Sequence, residues 1–381
     1  MNPHIEVIDT DDDSIGFTLS GVNVSLANGL RRTLLSDIPQ VVFRTTPNEQ
    51  NKCTIYANTS RLNNEIIKQR LSCIPIHIKN VEEFPLKNYL LEVHVENNTD
   101  NIMYVTTENF TIKDIVTGKD LSKDKVREIF PPDDTTGYYI DFVRLRPRIS
   151  DDIPGEKIHL ICEFDIGSAK EDGMFNAVST CSYGFTIDTA LQEAELAKNL
   201  QTWKDEGKNE EEIKFEAENW KLLEGKRICK KDSFDFVLQS VGVYTNHELL
   251  NAACKIIIER LGDLDATIEK DELEIKNAES TIANCFDIIL ENEDYTIGKI
   301  LEYCLYSKFY DKNVLTFCGF KKMHPHDTYS IIRVAYTEPV EKSTIKGNLK
   351  ECIAESVEVF AKMKKDFLST FSTFRKGGAK N

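Results

Sequence analysis

The chain has 381 residues, 41% of them apolar and 29% charged, with 47 Lys and Arg against 63 Asp and Glu for a formal charge of −16. That length predicts two or three domains with room for a sizeable core, and the mixture excludes a wholly disordered or fibrous protein. The negative balance argues against a broad nucleic-acid footprint, which runs on clustered Lys and Arg that release counterions from phosphate. No apolar run approaches the ~20 residues that cross a bilayer. The first residues lack a basic segment followed by an apolar one, so an intracellular chain with no membrane contact is expected. Ten cysteines stand singly with no CxxC among them, so neither a zinc ribbon nor a disulfide framework is signalled, and they read as small core residues.

Taken in chain order, Leu26, Leu30 and Leu34 recur every four residues and predict a helix over 25–37, with Ser25 as its cap and Pro39 as its stop. At 100° per residue Arg32 lies about 200° from Leu30, so it faces away from the core with Asn28, while Arg31 sits at the margin of the apolar stripe. From 46 to 180 the pattern changes to strands and long loops, with one helix near 62–71. Leu91, Val93 and Val95 alternate with Glu92, His94 and Glu96, and Ile158, Leu160, Cys162 and Phe164 repeat that period of two. Residues 190–231, rich in Glu, Lys and Gln, predict a solvated helical excursion that Trp203 and Trp220 pin to a surface.

A strand over 234–243 and an amphipathic helix over 248–264 follow, with Leu249, Ala253, Ile257 and Leu261 in one row and Gly262 and Asp263 closing it. The pattern then starts over. A strand around Phe286, Ile288 and Leu290 leads through an acidic turn, 291–294, to a helix opened by Thr296 with Ile297, Leu301 and Leu305 in register. Strands near 314–320 and 329–335 precede a long helix over 344–371 that carries Leu349, Ile353, Ser356, Phe360, Met363 and Phe367. A basic, glycine-containing tail, 375–381, is expected to fray. Residues 25–30 superpose on 296–301 at an offset of 271 positions, and Leu34 falls on Leu305. Each half therefore reads as one strand, helix, strands, helix module that pairs its apolar faces with the other.

At these residues a family resemblance becomes specific. The stretch Val24-Ser25-Leu26-Ala27-Asn28-Gly29-Leu30-Arg31-Arg32-Thr33-Leu34-Leu35-Ser36-Asp37-Ile38-Pro39 resembles the signature helix of the RNA polymerase α subunit family, whose eukaryotic member is the third-largest subunit of RNA polymerase II. Asn58-Thr59-Ser60 with Glu65, Arg70-Leu71 and Ile74-Pro75, then Leu145-Arg146-Pro147, then 234–242, resemble later blocks of the same family, over about 1 to 264. The remainder is similar to the small partner of that platform, the eleventh subunit, at 293–298, Phe317-Cys318-Gly319-Phe320 and His324-Pro325-His326. The whole resembles the fused subunit of large DNA viruses that carry their own transcription machinery.

The resemblance implies an α+β fold. Two α-type dimerisation modules, 1–45 plus 181–264 and 265–381, would pack as an intramolecular pseudo-dimer, with a mostly β insert at 46–180 in the first. Leu26, Leu30, Leu34, Ile257, Leu261, Ile297, Leu301, Leu305, Phe360 and Phe367 are the expected dimerisation residues. It implies a non-catalytic assembly subunit of a multi-subunit DNA-directed RNA polymerase, with the catalytic aspartates on another subunit. The expected partners are the two largest subunits and a small subunit of the same platform, with no sequence-specific nucleic acid, no membrane and no free homo-oligomer. Asn28, Arg31, Arg32, Leu35, Arg70 and Arg146 are the expected partner-binding residues, Arg32 foremost, because a guanidinium's planar fork of donors suits interface anchoring. A viral chain would work in the host cytoplasm and the virion, with the nucleus open. The alternative is a homo-oligomeric scaffold outside transcription.

The cysteine cluster that many relatives carry in the insert is absent, the family's basic His-containing block is replaced by 173–177, and the bacterial C-terminal DNA-binding module has no counterpart. No catalytic residue, cofactor or metal is expected. GxSxG, P-loop and GxGxxG patterns are missing; Asp11-Asp12-Asp13 reads as a solvated turn rather than a magnesium site; His324 and His326 read as turn formers.

Overall fold

A computed structural model describes residues 1–10, 14–150 and 153–377, with side chains up to residue 370. The Asp11–Asp13 triplet and the end of the tail, 378–381, lie outside the described residues. The architecture is mixed α+β with antiparallel sheets. In chain order it comprises β1 (His4–Thr10), β2 (Ser14–Ser20), α1 (Val24–Ser36), β3 (Gln40–Val42), β4 (Cys53–Asn58), α2 (Asn64–Ser72), β5 (Tyr89–Glu96), β6 (Met103–Thr106), β7 (Thr111–Asp114), α3 (Lys123–Ile129), β8 (Asp141–Leu145), β9 (Lys157–Glu163) and β10 (Asp165–Gly167). It continues through β11 (Val178–Ile187), α4 (Thr189–Asp205), α5 (Glu210–Leu222), β12 (Cys229–Ser240), α6 (Asn246–Glu269), β13 (Ile275–Asn277), β14 (Cys285–Glu291), α7 (Tyr295–Leu305), β15 (Leu315–Lys321), β16 (Tyr329–Tyr336) and α8 (Lys342–Gly377). No helix of the described residues is long and apolar enough to cross a membrane.

The chain divides into two compact units: Met1–Leu34 with Thr180–Gln239 and Asn246–Asn381, and Leu35–Ser179 with Ser240–Thr245. The first holds two four-stranded sheets with the same order, β1-β2-β12-β11 and β13-β14-β16-β15, each a hairpin, a helix, two more strands and a closing helix along the chain. In the first sheet Asp235 Oδ1 accepts from Thr18 Oγ1 at 2.7 Å and Thr186 Oγ1 at 2.8 Å, so one carboxylate stitches three strands. In the second, Arg333 lies opposite Asp287 and donates to it through Nε and Nη2 at 2.6 and 2.7 Å. All ten residues expected at the dimerisation seam are buried in this unit. Phe17 stacks on Phe236 at 5.0 Å and receives the edge of Phe367 from α8 at 5.5 Å, so the C-terminal helix closes onto the first sheet.

Three local readings change. The caps of α1 and α7 are Asn23 and Asp294, whose side chains accept from the N–H groups of Ser25 and Thr296, each at 2.9 Å; an Asx oxygen one residue ahead of the helix reaches the second turn-opening N–H better than Ser25 or Thr296 can. The helix expected to close at Gly262 runs on to Glu269, because Leu264 and Ile268 continue its buried face and outweigh one glycine's cost of about 1 kcal/mol. The excursion is two helices, α4 and α5, neither with a fully buried residue. Its tryptophans pack within it, Trp220 against Gly225 and Trp203 under the Lys208 ammonium at 5.8 Å.

The second unit is built on a β4-β9-β5-β7 sheet, with β6-β8 and β10-β3 pairs beside it. Leu91, Val93, Ile112, Ile158, Leu160 and Phe142 fill its core with Phe43, Phe110 and Phe130. Cys53 and Cys162, which read as isolated, sit directly opposite each other on β4 and β9, both buried and free; strand register brings together what sequence separation hides.

Phe367→Ala is expected to lower unfolding stability by about 3–5 kcal/mol through the cavity it leaves. Gly262→Ala, whose added methyl meets open space on an exposed helical position, is expected to raise it by about 0.5–1 kcal/mol. Denaturant titration of both variants measures each change.

Candidate functional site

In the first unit three of the expected residues, Asn28, Arg31 and Arg32, lie on α1, and Arg32 stands where α1 approaches the start of α7. Gly29 makes that approach close: a Cβ there would lie 2.9 Å from Ile300 Cδ1 and 3.9 Å from the Thr296 carbonyl. α7 is itself held tightly, since a Cβ on Gly298 would fall 2.0 Å from the Phe320 ring. Arg32, expected to face away from the core, meets the α7 turn of its own chain. Its Nε donates to Thr296 Oγ1 at 3.0 Å and its Nη2 to Asp294 Oδ2 at 3.0 Å, because the close helix approach puts the α7 N-terminus within reach of a long side chain. Arg260 of α6 grips the same turn, ion-paired with Glu293 and 3.9 Å from Asp294. The acidic turn of the second half is thus clasped by arginines from two helices of the first.

Burial works to raise the Asp294 carboxyl, but hydrogen bonds from Thr296 and the charges of Arg32 and Arg260 outweigh it and hold the group below the usual carboxylate range. Asp294 also caps α7, where the helix dipole favours an anion and shields Arg32 from the positive end. Arg31, half-buried beside this clasp, donates from Nε to Asn28 Oδ1 at 3.0 Å, one turn back on the same helix. Leu35 is half-buried on the last turn of α1.

In the second unit Arg70 and Arg146 both attach to β8 and its exit. Arg70 donates to the carbonyls of Phe142 and Asp141 at 2.7 and 2.6 Å, tying α2 to that strand. Arg146 donates from Nε to Glu156 Oε1 at 2.5 Å while its backbone N–H meets Oε2 at 2.7 Å, which satisfies a carboxylate only 7% exposed. All four expected arginines therefore have a partner within the chain. These contacts hold each guanidinium in one direction.

In the His324–His326 turn the backbone N–H of His326 donates to His324 Nδ1 at 3.2 Å and that of His324 to Asp327 Oδ2 at 3.0 Å, with the two rings 5.2 Å apart. Cys318 instead donates to the Glu302 carbonyl. Burial pushes the thiols of Cys181, Cys254 and Cys318 up to about 12 and that of Cys304 up to about 11, so they stay protonated at neutral pH and offer no thiolate nucleophile. What sequence reading missed is Arg260, which lies on the polar margin of an ordinary amphipathic helix and shows its role only through contact with Glu293.

A buried helical seam, two sheets of one strand order and a clasp built from arginines are the features that the first unit presents. Residues 16–261 match the family described as the RNA polymerase Rpb3/Rpb11 dimerisation domain. The chain belongs to that family and is an α-type RNA polymerase subunit, a non-catalytic assembly component. It is similar to DNA-directed RNA polymerases I and III subunit RPAC1 of Bos taurus, at 26% identity over 311 residues, covering 70% of this chain and 85% of the relative. The Homo sapiens counterpart is 25% identical over the same shares. DNA-directed RNA polymerase subunit Rpo3 of Pyrococcus horikoshii is 24% identical over 283 residues, covering 67% of this chain and 94% of the relative.

A carboxyl depressed by folding contributes stability above its unfolded pKa of about 3.9 and loses it as the pH falls through the native value. Asp294→Asn is expected to lower the melting temperature at about pH 7, with the gap to the wild type narrowing below about pH 4. Thermal melts across that range test it, and a gap that stays constant with pH rules the clasp out as its source.

Proposed function

We propose that the chain forms the α-like platform of its polymerase, two dimerisation modules fused into one pseudo-dimer that, with a small subunit of the same platform, nucleates association of the two largest subunits. The observation that carries this reading is the shared strand order of the two sheets in the first unit, with α1, α6, α7 and α8 in equivalent places and caps at Asn23 and Asp294 that keep the 271-residue offset of the repeat. In this reading the modules are residues 1–45 with 181–264 and residues 265–381. The continuation of α6 moves their junction to about residue 270. The second compact unit is the inserted domain. Fusion turns a bimolecular pairing into an intramolecular one, with an effective concentration in roughly the millimolar range.

The partner-binding residues are Asn28, Arg31 and Leu35 on α1 and, on the insert, Arg70 and Arg146, each contact taken by itself, and Arg32 acts through the clasp as well as toward the partner. The viral character of the fusion and a place in host cytoplasm or virion are part of the same proposal and rest on the arrangement of the two halves alone. The name of the relatives, a subunit of DNA-directed RNA polymerase, supports a transcription complex as the setting.

Arg31→Glu is expected to reduce recovery of the largest subunits at least about tenfold in affinity purification with mass spectrometry while the variant keeps a cooperative thermal melt, and Arg31→Gln, which keeps a side-chain donor toward Asn28, is expected to lose recovery in the same direction. Equal recovery by variant and wild type refutes this role of Arg31. Separately expressed chains 1–270 and 271–381 are expected to co-purify in equal amounts. Two well-folded halves that ignore each other refute the pseudo-dimer.

A further inference from the structure

The outer face of the β4-β9-β5-β7 sheet carries a cluster that the assembly role leaves unused. Alternation along β5 turns Leu91 and Val93 into the core and leaves Glu92 and His94 outside, and the β5/β9 register sets His94 directly opposite His159. The two imidazoles stack with ring centroids 4.3 Å apart and planes 20° apart, and His159 Nε2 lies 3.1 Å from Glu92 Oε1. One ligand-capable atom from each of the three residues falls within 4.8 Å of the others.

We propose that Glu92, His94 and His159 form a site for one divalent transition-metal ion of the zinc type. Two imidazole nitrogens and a carboxylate oxygen are a donor set that such ions favour over calcium or magnesium. Ligands about 2.1 Å from a tetrahedral ion stand about 3.4 Å from one another, so rotation of half-exposed side chains is enough to close the cluster, with no movement of the core.

The carboxylate is already divided for the task. Lys113 of β7 is ion-paired with Glu92 Oε2, while Oε1 faces His159. That lysine orients the ligand from outside as the outer-shell partners of metal-bound carboxylates do, and the ion takes the free edge. Tyr56, from β4 on the other side of β9, backs His159 with its ring centroid 5.0 Å away. His94 is exposed, which leaves a path of entry and room for water as the fourth ligand. The site is independent of the assembly reading, since it lies within the insert sheet and uses none of the expected partner residues.

Titration of the untagged full chain with Zn²⁺ alone, by calorimetry and by equilibrium dialysis with elemental analysis, is expected to give one ion per chain. His94→Ala and His159→Ala should each abolish that saturable binding, and Lys113→Met should weaken it about tenfold. The double variant His324→Ala/His326→Ala should bind as the wild type does. Thermal melts of the apo variants should superpose on the wild type, which separates loss of the site from loss of the fold, and Glu92→Gln gives a second, nearly isosteric probe. Absence of saturable zinc, or a stoichiometry that survives both His94→Ala and His159→Ala, overturns the proposal.

Discussion

The first unit depends on one charged contact, the acidic turn at Glu293 and Asp294 held between Arg32 of α1 and Arg260 of α6. Partly buried ion pairs add little net stability, because desolvation takes back most of the Coulombic gain, while loss of one partner leaves an uncompensated charge. We read the clasp as a register device on that ground. The bulk of the stabilisation comes from apolar burial along α6 and α8, at about 1.5–3 kcal/mol for each large side chain removed from water. Apolar faces alone tolerate sliding by a turn, and the clasp allows one setting: Gly29 against Ile300, with the α7 cap under the Arg32 fork.

The same geometry explains why arginine serves where lysine would not. Nε and Nη2 of Arg32 lie on one edge of a rigid plane and reach a hydroxyl and a carboxylate on the same helix end. A lysine ammonium would meet one of the two. The clasp also joins three elements whose order along the chain is α1, α6 and the turn before α7, so it forms only once both sheets have taken their places.

Much of this was legible from periodicity. The 3.6-residue rows of α1, α7 and α8 placed their buried residues, and the period of two along β5 and β9 placed Leu91, Val93, Leu160 and Cys162 inside. Register was not legible, because a one-residue slip leaves each strand's pattern intact. The opposition of His94 to His159 and of Cys53 to Cys162 therefore appears only in the fold. The destination of Arg32 was hidden for another reason: helical phase gives the direction of a side chain's base, and the charge that meets it is 262 residues away. At Gly262 a local breaker signal was overruled by two buried residues beyond it.

The stitch between Thr18 and Asp235 spans 217 residues, with residues 35–179 of the second unit synthesised in between. At the usual pace of translation, about 5–20 residues per second, β2 leaves the ribosome roughly 10–40 s before the strand it pairs with. During that interval residues 35–179 of the second unit are synthesised, its Ser240–Thr245 segment following only after β12, while β1, β2 and α1 wait with an unpaired edge and a bare apolar stripe. Vectorial synthesis thus delivers most of the second unit ahead of the strand that completes the first sheet, and the amino-terminal hairpin gains its β12 partner only when that strand emerges.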